Sequence, residues 1–388
     1  MDFRFTEEQQ MIRDTADAFL AEVSTSEAVR EAMATQTGFD PALWQRVCGE
    51  LYWPAIHIPE AHGGMGLGYV ELVATLEQMG RYLLCAPFFS TVCLGVNTLR
   101  MAGSESQQAE YLPRILDAET MTLAWTGRSG RWDAAAVEVT WRREEDGYTL
   151  DGLSRYVLDG HTADWIIVAA REAGSVGEEG ISLFILAGDS PGLEREWLPT
   201  VDQTRKQSEL CFNGVKVPAG QRLGGEGDAW PTLSRVVDLA TIALAAEQVG
   251  CAQQALDITV AYTRERVQFG RTIASYQAVK HKAADMMVKV EAARSALYYA
   301  ACIAEEAMTG GPMAGELPEA ASVAKAWCSD ACFFNAGTGI QLHGGVGFTW
   351  EYDIQLYFKR AKAAEELFGN ASWHRERLAQ MLLDEAVA

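Results

Sequence analysis

Apolar residues recur at helical spacing along roughly the first 120 positions, switch to strand-like patterning over the next hundred, and return to helical spacing to the end. Phe5 to Leu20 reads as a helix behind a Thr6-x-x-Gln9 capping box, in which each side chain satisfies the other's backbone N–H. A Pro/Gly-rich break at 59–68 follows, and helical pattern resumes over 69–82 and 105–116. Val137-Glu138-Val139-Thr140-Trp141 alternates as a half-buried strand does, and 165–169 and 182–186 are short apolar strand runs. Asp146-Gly147, Asp151-Gly152 and Asp159-Gly160 suit tight turns between strands. Long helices are expected over 234–264, 275–308 and 318–339, broken at Gly310-Gly311-Pro312 and Gly344-Gly345-Val346-Gly347. The pattern predicts an α+β protein: an N-terminal helical domain (1–120), a small central β domain (121–225) and a C-terminal helix bundle (226–388).

Composition narrows the function. At 388 residues, 48% of them apolar and 22% charged, the chain has ample material for more than one core. A formal net charge of -21 argues against nucleic acid or acidic membrane surfaces as partners. No basic segment followed by an apolar run opens the sequence, and no stretch approaches the ~20 apolar residues that span a bilayer, so a soluble, cytoplasmic protein is expected. The eight cysteines form no Cys-x-x-Cys pair, and no His-rich segment supplies further ligands, so buried reduced thiols and no metal are expected. No Gly-x-Gly-x-x-Gly follows a strand, which excludes a nicotinamide-type Rossmann site.

Two local motifs carry chemistry. Arg264-Glu265-Arg266-Val267-Gln268-Phe269-Gly270-Arg271 closes one helix and leads into Tyr276-Gln277-Ala278. Gln341-Leu342-His343-Gly344-Gly345-Val346-Gly347-Phe348 closes another. Arg266 can give charge-assisted hydrogen bonds to a phosphate, Gly344 and Gly345 let backbone approach one without Cβ interference, and Gln341 offers donor and acceptor. Each alone could be a helix C-terminal cation or a C-cap glycine. Together, on this order of blocks, they resemble the acyl-CoA dehydrogenase family over essentially the whole chain, with its Arg-x-x-Phe-Gly and Gln-x-x-Gly-Gly-x-Gly-Phe signatures. The resemblance implies FAD as cofactor, an acyl-CoA substrate, electron-transfer flavoprotein as electron acceptor, and a tetramer in which Arg266 and the Gly344-Gly345 turn come from neighbouring subunits around each FAD. Phe269 and Gln277 belong to the same implied cofactor set.

The chain also departs from that family. Where the family has Thr-Glu-Pro-Gly-x-Gly-Ser-Asp, the stretch 125–133 keeps Thr126 but loses the small Ser. Where the family presents Trp-Ile-Thr-Asn-Gly to the flavin, Tyr156 can still stack on the ring, but Leu158 cannot donate the hydrogen bond of Thr. The base that removes the α-proton usually precedes a Gly-Thr near the C-terminus; the matching residue is Phe368. A minority of the family carries it on the helix before Arg-x-x-Phe-Gly, at the position of Ala240. Glu247 lies two turns beyond Ala240 on nearly the same face, about 10.5 Å along the axis, among Ala, Val and Gly. It is either the base or the structural partner of an Arg or Lys on another helix. Asp238, Glu351, Glu365 and Glu366 are weaker candidates.

The Ala-Ala-Glu-Gln-Val-Gly segment resembles bacterial acyl-CoA dehydrogenases of steroid side-chain breakdown, which often work as mixed tetramers. The leading expectation is FAD-dependent α,β-desaturation of an acyl-CoA thioester with Glu247 as base. The alternatives are a non-catalytic partner subunit of a heterotetramer and a flavin monooxygenase on the same fold.

Overall fold

The computed structural model of the chain describes residues 6–387. The helix expected from Phe5 begins at Glu7; Phe5 itself lies outside the described residues. The N-terminal block holds α1 (Glu7–Val23), α2 (Ser26–Ala34), α3 (Pro41–Gly49), α4 (Tyr69–Arg81), a π-helix over Phe89–Val96 that runs on as α5 (Asn97–Ala102), and α6 (Glu105–Leu116). The strands follow: β1 (Met121–Ala124), β2 (Thr140–Arg143), β3 (Gly147–Leu158), β4 (Trp165–Glu172), β5 (Ile181–Ala187), β6 (Leu193–Leu198), β7 (Gln207–Pro218) and β8 (Arg222–Leu223). The C-terminal block holds α7 (Trp230–Glu265), a hairpin of β9 (Val267–Gln268) and β10 (Arg271–Thr272), α8 (Gln277–Thr309), α9 (Leu317–His343), α10 (Ile354–Glu366) and α11 (Ala371–Val387).

These elements make two compact units, one from the segments up to residue 31, 68–84 and 241 onward, the other from 32–67 and 85–240. In the second unit the sheet runs β6-β7-β3-β2-β4-β5-β8, with β1 added parallel to β4. Alternate side chains bury one face: Trp141, Leu150, Ile166, Val168, Phe184, Leu210 and Phe212 form its core. In the first unit α9 packs against α8, α10 and α11, and α4 packs against α1 and α8.

Local chemistry sets the ends of these elements. Thr6 and Gln9 complete the expected capping box of α1, and Ser104 and Gln107 make a second at α6. Gly310, at φ 72°, stops α8. Two expectations are corrected. The strand read over Val137–Trp141 starts at Thr140, because Asp133 accepts from the Ala135 N–H and turns 134–136 into a 3-10 helix. Asp151-Gly152 is no turn: it sits inside β3 at a register shift, where Gly152 has φ 127° and a Cβ would come 2.9 Å from the Glu138 carbonyl oxygen. The π-helix was not expected. Its residues are buried on every side, so no periodicity marks it.

Candidate functional site

The sequence-predicted residues fall into two sets, one in each unit. In the sheet unit, Thr126 follows β1 and is pinned across β3. Its hydroxyl donates to the Arg155 carbonyl (2.6 Å), and its carbonyl accepts from the Arg155 N–H and the Ser154 hydroxyl (2.8 Å each). The stretch beyond it is filled by large groups. Trp132 packs 5.7 Å from Trp125, which packs 6.4 Å from Trp230, and the Glu138 carboxylate lies where a Cβ on Gly127 would be.

Tyr156 sits on the second register shift of β3, between Ser154 and Val157, at φ 63° and 37% exposed. A bulky residue in the left-handed region costs about 1–2 kcal/mol, and here it turns an aromatic face outward from the strand. The Arg155 guanidinium lies 5.5 Å from the centre of that ring. Leu158 is buried, and its carbonyl accepts from Thr122. Asp159, also left-handed, accepts from Ser90 at 2.6 Å.

In the helical unit, the β9–β10 hairpin turns on Phe269 and Gly270 at φ 52° and 79°. Two successive positive φ values mark the tight turn whose twist suits a two-residue hairpin. Phe269 is consequently 93% exposed. Arg266 precedes the hairpin, and among the described residues its guanidinium makes no ion pair or hydrogen bond. Gln277 opens α8 with its side chain exposed. Gln341 is exposed in the last turn of α9, and Gly344 ends that helix at φ 66°. Nothing lies within 4 Å of a Cβ built on Gly344 or Gly345. His343 fixes this turn: it stacks on Tyr262 at 4.2 Å, its Nδ1 bonds the Gly339 carbonyl at 2.8 Å, and its carbonyl accepts from the Tyr262 hydroxyl. Thus the ends of α7 and α9 are tied together one turn before Arg266. An uncommitted guanidinium and an open glycine turn fit the pyrophosphate and ribose of FAD.

Glu247 is buried on α7, with Oε2 3.8 Å from Nη1 of the equally buried Arg360 on α10. A Cβ on Gly80 of α4 would lie 2.1 Å from the Glu247 carbonyl oxygen, so α4 covers this stretch of α7 in direct backbone contact. Ala240, seven residues earlier, is fully buried. Asp238 is buried as well. Phe368 is buried at φ 61°. Glu365 and Glu366 both pair with Lys362 (2.9 and 2.8 Å), which holds the Glu366 carboxyl below its usual range. Glu351 is exposed, its carboxyl lowered by the Thr349 hydroxyl.

Two buried groups escaped the sequence reading. Glu77 of α4 accepts from the Tyr298 hydroxyl (2.6 Å) and pairs with Arg294 (3.2 Å) and Arg13 (3.5 Å). Lys325 of α9 is fully buried, and burial pushes its ammonium down to about 7. Its signal was legible: a single charge in the otherwise small and apolar run Ala320–Ala326.

Comparison with known proteins points to one family. Residues 6–119, 122–215 and 228–383 match the N-terminal, middle and C-terminal domains of acyl-CoA dehydrogenases. The chain is 30% identical to the acyl-CoA dehydrogenase IpdE2 of Mycolicibacterium smegmatis over 94% of its length and 95% of that protein's. Among solved structures it is similar to butyryl-CoA dehydrogenase of Megasphaera elsdenii (28% identity, TM-score 0.89, 99% of this chain and 100% of that one). It is similar also to a chain of the ChsE4–ChsE5 complex of Mycobacterium tuberculosis (29% identity, TM-score 0.87, 99% of each chain).

Proposed function

Because the chain belongs to the acyl-CoA dehydrogenase family and is an FAD-dependent oxidoreductase, we propose that it desaturates an acyl-CoA thioester between Cα and Cβ within a tetramer. The observation that carries this reading is Tyr156, held left-handed on a β-bulge with its ring turned outward where the family faces its flavin. FAD supplies a hydride acceptor for the β-hydrogen. The chain's own residues hold the dinucleotide through Arg266, Gln341 and the Gly344-Gly345 turn, and take the α-proton. For that proton we assign Glu247, a buried carboxylate on the α7 face of Ala240. Its Oε2 lies 3.8 Å from Nη1 of Arg360, longer than a charge-assisted hydrogen bond.

A second reading is favoured by one specific observation: Phe368 and Ala240, at the two usual base positions, are both apolar and buried, while Glu247 faces a cation. On that reading the chain is a partner subunit, and a related chain supplies the base. The heteromeric ChsE4–ChsE5 complex is a structural precedent for such an assembly. The test is acyl-CoA-dependent dye reduction, measured per bound flavin, by the chain alone and after co-purification with chains encoded beside it. Turnover by the chain alone supports the first reading. Turnover only in the mixed assembly supports the second. Oxygen-dependent consumption of reduced flavin without dye reduction would move the chain to a monooxygenase.

A further inference from the structure

The turn at Phe368 keeps an elaborate support although its side chain is apolar. Leu367 is extended, and Phe368 and Gly369 follow at φ 61° and 97°, two consecutive left-handed residues. A non-glycine residue persists there only when its surroundings hold it. From α9, the Lys325 ammonium reaches across to this turn. It donates to the carbonyls of Ala364 (2.9 Å), Glu365 (3.0 Å) and Gly369 (3.0 Å), and to the Ser329 hydroxyl (3.0 Å). Ser329 in turn bonds the Gln248 side-chain amide at 3.0 Å, on α7 beside Glu247. On its other side the turn is fastened by His374, whose Nε2 lies 3.0 Å from the Phe368 carbonyl. Burial pushes the His374 imidazole down to about 3, so the ring is neutral and donates from Nε2.

Capping the C-terminal carbonyls of α10 alone would need contacts to Ala364 and Glu365 only. The bond to Gly369 lies beyond the helix and bridges Phe368. A buried ammonium is costly unless fully paired, and a Met at 325 would fill the same space without that cost. The retained amino group therefore does something that packing does not.

We propose that Lys325 is a positioning residue: through Ala364, Glu365 and Gly369 it sets the Phe368 turn, and through Ser329 and Gln248 it ties that turn to α7, so that residue 368 is aimed at the acyl-CoA as the base of an active site is. This rests on the desaturation reading. It implies that the geometry for a base at 368 is intact and lacks only the carboxylate.

The test uses the flavin-loaded assembly and two measurements. Phe368→Glu should raise acyl-CoA-dependent dye reduction per flavin at least about tenfold, the lower part of what a positioned base contributes. Lys325→Met in that background should abolish the gain while FAD content and KM stay within about twofold of the Phe368→Glu value. Independently, hydrogen exchange at the Leu367 and Gly369 amides should become about tenfold faster in Lys325→Met, with the α4 amides unchanged. A gain that survives Lys325→Met overturns the proposal, and so does the absence of any gain in Phe368→Glu. Exchange that rises everywhere alike, or nowhere, overturns it too. If Lys325→Met does not fold, Ser329→Ala stands in, and unchanged exchange at 367 and 369 in that variant overturns the proposal. Failure of the desaturation reading shows separately, as no thioester oxidised by the parent, alone or in a mixed assembly, or by Phe368→Glu, while the exchange contrast still reports on Lys325.

Discussion

Gly250 of α7 lies against Glu77 of α4 so closely that a Cβ on the glycine would be 1.8 Å from the Glu77 carbonyl oxygen. One turn away the relation is reversed, with Gly80 of α4 against the backbone of Glu247. The two helices thus cross in backbone contact at paired glycines. Gly250→Ala forces the helices apart and should destabilise the protein by about 1–3 kcal/mol in denaturant melts. Gly49→Ala, where nothing lies within 4 Å, is the control and should be neutral or stabilising by up to about 1 kcal/mol.

Glu247→Gln keeps volume and removes the base. Turnover per flavin should fall by about 10²–10⁴ with FAD content unchanged. Near-parental turnover would place the base elsewhere on this chain or in a related chain.

Arg360→Met removes a buried cation that faces the Glu247 carboxylate. Breaking one side of a buried pair costs about 3–5 kcal/mol, which a shift of the unfolding midpoint will read. The double variant Glu247→Gln/Arg360→Met should recover most of that loss.

Arg266→Ala removes a guanidinium that no described residue engages. FAD affinity should drop by about ten- to a hundredfold, from charge-assisted bonds worth about 1.5–3 kcal/mol each, with little change in the melt of the flavin-free chain. Unchanged retention of flavin would remove Arg266 from the cofactor site.

His57 and His374 are both buried, and burial pushes each imidazole down to about 3, below the 6.5 of an unfolded chain. Between those values the unfolded state binds the protons and the folded state does not, so stability is fully present above about pH 6.5 and is lost as pH falls toward 3. Each histidine contributes a slope of up to about 1.4 kcal/mol per pH unit in that window. Thermal melts should show His374→Gln with a shallower acid limb than the parent.

Much of this molecule is legible in its sequence. The change of hydrophobic period predicted helix, sheet and helix in order, because each period reports which side of an element meets a core. Thr6 and Gln9, Gly310, and the Arg266 and Gly344 motifs are local signals, complete within a few residues, and the sequence carries them by itself. What tertiary structure decided is whatever depends on residues far apart in the chain. Asp151-Gly152 reads as a turn, but its partner strand β7 makes it a bulge. The π-helix over Phe89–Val96 is buried all round, so no period could announce it. Which cation Glu247 meets is open in the sequence until α10, far along the chain, brings Arg360 to 3.8 Å from it. Lys325 reads as an isolated charge until the carbonyls of 364, 365 and 369 surround it. A side chain's type is written locally, but its protonation, pairing and task are set by the low-dielectric neighbourhood that only folding assembles.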